Sequence, residues 1–152
     1  MAKAPRYGEF TPDDRVDALA ASVLGALWNA MLAESSAAIS GNDADAIHDM
    51  RVAIRRLRSA LRTFRQCYPK KRRRRVAKAT KRLARQLGVV RDADVHLEAL
   101  RDALSSAPAI EHAGIAFLME QVGEQRGGAL AKFEILMARF DRGALDRMVD
   151  GV

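Results

Sequence analysis

The sequence predicts an all-α fold, an antiparallel helical bundle of four long helices plus shorter ones. Three observations carry this. Apolar residues recur at three- and four-residue spacing along most of the chain, for example Val16, Leu19, Val23, Leu27 and Ala30. Aromatic residues make up only 5% of the chain, and long Val/Ile/Thr alternations are absent, which disfavours a β-sandwich or barrel. The periodic segments are short-linked and punctuated by Gly or Pro, as in an up-and-down bundle. With 152 residues and 49% hydrophobic content, the chain can bury one core. We expect a tail over 1–10 and one helical-bundle domain over 11–150.

The elements follow in order. In Phe10-Thr11-Pro12-Asp13-Asp14, Thr11 can cap, Pro12 suits the first helical position and the two acids suit the positive end of the dipole. This first helix is expected to end at Gly41, with Asn42 capping the next. The second runs over about 43–67 and stops before Pro69. A third covers about 70–86 and ends near Gly88. A fourth starts near Asp92, where Asp92 and Asp94 suit a helix start, and ends in the Ser-Ser-Ala-Pro of 105–108. A long pattern covers about 109–140, with Gly127-Gly128 as a point where it kinks or splits. A short helix over 142–149 closes the chain.

The net charge of +7 conceals a sharper feature. Of the 26 Lys and Arg residues, 17 lie in 51–91, a span without a single Asp or Glu. The rest of the chain keeps nine basic residues against all 19 acids. Such asymmetry points to a polyanionic partner.

On a helical wheel the second helix puts Met50, Ile54, Leu57, Leu61, Phe64 and Tyr68 on its core side. His48, Arg51, Arg55, Arg58, Arg62 and Arg65 step by three and four beside them, a stripe about 26 Å long. Arg56 falls off that stripe. The third helix turns Val76, Ala77, Thr80, Leu83, Ala84 and Leu87 inward and carries a ridge of Arg74, Lys78, Lys81 and Arg85, widened by Lys71, Arg75 and Arg82. A solvated face normally mixes signs, because like charges at helical spacing cost about 0.2–0.5 kcal/mol per pair. A bound anion would supply the missing charge, and the arginine bias suits the bidentate geometry of phosphate. The only aromatics of the basic span, Phe64 and Tyr68, lie on the core side, so nothing is built to stack or read bases. A plain phosphate chain fits this surface better, with non-specific nucleic-acid binding as the alternative.

The segment AIHDMRVAIRRLRSALRTF at 46–64 resembles the signature of the CHAD family, the conserved-histidine α-helical domains. LGVVRDADV at 87–95 resembles that family's second motif, with Lys81 where a basic residue is expected ahead of it. The resemblance implies binding of inorganic polyphosphate in a basic groove lined by helices, and association with polyphosphate granules. By motif it carries over His48, Arg51, Arg55, Arg56 and Arg58 from the first element and Arg91 from the second. Arg62, Arg65, Arg74, Lys78 and Arg85 enter as polyphosphate-binding residues from the wheel alone. The family module usually holds two similar bundles around a central groove. This sequence has one HDMRVAIRRLR, so the resemblance implies a half-length module, and two copies on a two-fold axis would rebuild the pair as a homodimer.

The remaining signals point away from other classes. A phosphohydrolase needs an acidic metal site, and the basic span has no carboxylate, so the expectation is a binding protein, not an enzyme, without cofactor or metal. His48 has Asp45 and Asp49 at helical reach, a poor donor set for a transition metal. Cys67 is the one cysteine and has no internal disulfide partner. No apolar run of about 18 residues and no secretory leader is legible, so the expectation is a cytoplasmic protein without a membrane partner.

Overall fold

The computed structural model describes residues 7–41 and 43–150. Among them the regular structure is entirely helical: α1 (Val16–Ala33), α2 (Ser35–Ser40), α3 (Ala44–Thr63), α4 (Lys70–Ser106), α5 (His112–Ala138) and α6 (Asp146–Val149), with 3-10 turns at Ala109–Glu111 and Arg142–Ala144. The all-α fold is as the periodicity predicts. The first six residues of the expected tail, and the expected cap Asn42, lie outside the described residues.

Helix boundaries differ from the sequence expectation in several places. Thr11 and Asp14 close a turn instead of capping a helix: the Thr11 amide donates to Asp14 Oδ2 at 2.6 Å, the Asp14 amide donates to the Thr11 carbonyl at 3.1 Å, and α1 starts five residues later. The first apolar segment breaks at Glu34 into α1 and α2. The third and fourth expected helices are a single 37-residue helix, α4. Gly88 does not end it because Leu87 and Val90, on either side, are both fully buried, and that burial outweighs a glycine penalty of about 1 kcal/mol. Likewise α5 runs unbroken through Gly127-Gly128, whose surroundings are open and whose helix is held along its length by α4.

The helices pack in chain order, α1 on α3, α3 on α4 and α4 on α5, around one apolar cluster. Leu24, Met31, Ile47, Met50, Ile54, Leu57, Leu83, Leu87, Phe133 and Met148 are among its fully buried members. The chain after α5 returns to α1: Trp28 Nε1 donates to the Arg142 carbonyl at 3.1 Å, and its ring lies 5.1 Å from that of Phe140. By length and composition alone Val16–Ser40 could cross a membrane, with mean hydropathy 1.5 over 18 residues, which corrects the expectation that no such run exists. Here its Ala20, Leu24, Leu27, Trp28 and Met31 face the core. The outer half of the α4–α5 pair is different. Beyond Ala93 on α4 and before Ala129 on α5 no side chain is fully buried, and Val95, Phe117 and Leu118 are exposed.

Two positions show how tightly the turns are set. Gly41 ends α2 with φ of 67°, where L side chains are strained, and a Cβ there would run into Leu130 of α5. The residue that caps α3 is Asp43, whose side chain accepts from the Asp45 amide at 2.8 Å. The second position is Tyr68, buried in the turn between α3 and α4 with its hydroxyl unpaired.

Gly41→Ala is expected to cost about 1–3 kcal/mol in chemical denaturation, from the left-handed backbone and the displaced Leu130. Burial, with the neighbouring Cys67 and Asp17, holds the Tyr68 phenol above its ordinary value. Its contribution to stability is therefore intact below about pH 10 and is lost as pH rises through the raised value. Tyr68→Phe should leave the melting temperature at neutral pH unchanged or slightly higher, and should flatten the decline measured above pH 10.

Candidate anion-binding groove

The apolar faces of α3 and α4 meet through Met50, Ile54, Leu57, Val76, Leu83 and Leu87, which places the flanking basic residues of both helices along one seam. Small residues decide how close the seam is. Ala77, Ala84 and Gly88 lie along the side of α4 that faces α3, and Ala77 and Ala84 are half-buried in the floor of the seam.

Two recesses open along it. The first, of about 450 Å³, is lined by His48, Arg51, Arg55, Arg58 and Arg62 of α3 and by Arg91 of α4. Val52 and Ala84 complete its wall. The second, of about 280 Å³, is lined by the same Arg58 and Arg62, by Arg73, Lys78 and Lys81 of α4, and by Leu61 and Ala77. The two recesses adjoin, with Arg58 and Arg62 lining both, and together they make up the groove along the seam. No acidic residue lines either of them.

Arg51 and Arg62, which line the groove, are held in place by the protein. Arg51 Nη1 donates to the Leu87 carbonyl at 3.2 Å, across the helix pair, and a Cβ on Gly88 would stand 3.5 Å from that nitrogen. Arg51 thus lies flat on α4 where the helix has no side chain. Arg62 Nη2 donates to Ser59 Oγ at 2.9 Å. Neither partner is charged, so neither neutralises the groove.

The expected residues divide as follows. His48, Arg51, Arg55, Arg58, Arg62, Lys78, Lys81 and Arg91 come together. Arg65 and Arg74 are exposed and line neither recess. Because α3 ends at Thr63, Arg65 leaves the stripe, which shortens from about 26 Å to about 21 Å between His48 and Arg62. Arg85 turns with Arg82 toward Lys132 of α5, in a different recess. Arg56 lines neither recess, as its wheel position predicts. Arg73 was not among the expected residues. It stands one turn before Ala77 on the face that also carries Ala84, Gly88 and Arg91, and that run of small residues was the available signal.

Asp94 has a different role from the helix-start acid expected of it. Arg126 Nε of α5 donates to Asp94 Oδ1 at 2.5 Å, and Arg126 Nη2 donates to the Gly41 carbonyl at 2.7 Å. One guanidinium thus ties α4, α5 and the end of α2, just ahead of the His48 end of the groove. Within five residues, Arg91 faces the groove and Asp94 fastens the scaffold, while Asp92 is exposed. Among the described residues no group of three or more His, Cys, Asp and Glu side chains is placed to hold a metal ion.

The comparisons with known proteins add one positive finding. The family model described as CHAD domain matches residues 22–151. No curated protein and no solved structure matches the chain.

Asp94 and Arg126 retain only 12% and 22% side-chain exposure. Arg126→Ala strands the carboxylate and is expected to cost about 2–4 kcal/mol in urea denaturation. The double variant Asp94→Ala/Arg126→Ala should lose less than the single one.

Proposed function

The chain belongs to the CHAD domain family, which is known for polyphosphate binding, and from that premise we propose that the α3–α4 groove binds inorganic polyphosphate without catalysing its turnover. The observation that carries this reading is a groove lined by cations from two helices with no acid among them. A chain of phosphates offers a negative charge at every unit and no base or sugar to recognise. Arginine forks meet its oxygens in pairs, and the lysines of the second recess add point charges. Arg51 and Arg62 are already oriented, which lowers the entropy that their long side chains lose on binding. His48 lies at one end, exposed, where its ring N–H can donate to a phosphate oxygen. A phosphoryl-transfer site needs carboxylates to hold divalent cations against the charge, and the groove lining offers none.

Arg55→Glu and Arg58→Glu are each expected to weaken long-chain polyphosphate binding by at least about tenfold in titration calorimetry. Arg101→Glu makes the same charge change on the exposed outer part of α4 and should leave affinity nearly unchanged, as should Arg56→Glu. Affinity should fall steeply with added salt, since each neutralised phosphate releases counterions. Polyphosphate should displace DNA at equal phosphate concentration. Displacement in the other direction, or equal losses for groove and outer variants, would replace this reading with general nucleic-acid binding.

A further inference from the structure

Resting on the polyphosphate reading, we propose that the groove contains two phosphate subsites in series, and that Arg73 forms the second, engaged by long chains and not required by short ones. The two recesses adjoin near the end of α3, where they share Arg58 and Arg62, and the second continues along the first turns of α4. A ligand that fills both must be linear and carry charge along its whole length. It must reach from His48 past Arg62, about 21 Å, and on to α4.

Arg73 is what distinguishes the second recess. Its Nε is buried and finds no acceptor among the described residues. The other polar residues lining that recess are Arg58, Arg62, Lys78 and Lys81, all donors, while Leu61 and Ala77 offer only apolar surface. A buried donor without an acceptor destabilises the free protein, and an anionic oxygen held in the recess would satisfy it once the Arg73 side chain turns its Nε outward. Arg73 thus lines the recess with a hydrogen-bonding need at Nε that no described group of the fold meets. Arg51 in the first recess is the contrast, since it has the Leu87 carbonyl.

The consequence is a dependence on chain length. Tripolyphosphate can occupy the first recess and has no need of Arg73. A long chain gains the second recess only through it. The test compares tripolyphosphate with long-chain polyphosphate on the full chain by calorimetry. Arg73→Ala should weaken the long chain by about tenfold and leave tripolyphosphate within about twofold. Arg73→Lys should recover only part of the loss, because an ammonium has no Nε at that position. Without ligand, Arg73→Ala should melt at or above the wild-type temperature. Equal losses for both ligands, no loss for the long chain, or a clearly lower melting temperature of the free variant would each overturn the second subsite. In those cases the polyphosphate groove itself stands as long as Arg55→Glu still weakens long-chain binding by at least about tenfold. If Arg55→Glu binds both ligands as wild type does, the groove reading falls and the second subsite with it.

Discussion

Repulsion among like charges is the constraint on which this structure turns. Seventeen cations in 41 consecutive residues push apart along both helices and across the seam between them, and the span contains no acid to relieve them. Each close pair costs a few tenths of a kcal/mol at an exposed helix surface. One fully buried Leu, Ile or Phe contributes about 1.5–3 kcal/mol, so a single core residue offsets several such pairs. The two basic helices therefore carry their own remedy. Met50, Ile54 and Leu57 on α3, and Val76, Leu83 and Leu87 on α4, sit directly beneath the charges and are fully or almost fully buried.

The acids complete the same arrangement from a distance. They are absent from the groove lining; Asp94 fastens the scaffold with Arg126, and Asp14 and Asp43 make local turn and cap contacts. Separating the two signs keeps the groove unneutralised. Uncharged acceptors, the Leu87 carbonyl and Ser59 Oγ, orient its arginines without cancelling their charge. A carboxylate at either position would hold the guanidinium more firmly and leave it less able to exchange its partner for a phosphate.

The tripartite tie made by Arg126 links this arrangement to the rest of the fold. It joins the end of α2, the middle of α4 and α5, and so sets where α3 begins relative to α4. The tie lies close to the basic helices, because α3 starts only three residues after Gly41. Away from that tie the long α4–α5 pair has little holding it beyond its own contacts, and its outer half shows exposed apolar side chains in place of a core.

What the sequence determined by itself was whatever depends on residue type and on spacing within one helix. The helical class, the core faces of α3 and α4, the stripe from His48 to Arg62 and the family motifs were all legible, because helical geometry converts spacing into direction without reference to anything else. Helix ends were less so. Gly88 and the Gly127-Gly128 pair read as breaks, yet tertiary burial of Leu87 and Val90 and packing along α4 carried the helices through them. Which side of α4 meets α3 was beyond a single-helix wheel, since it depends on how two helices rotate against each other. That rotation took Arg85 out of the groove toward Lys132, left Arg74 exposed and brought Arg73 in. It likewise turned Asp94 from a presumed helix-start acid into the partner of an arginine 32 residues away.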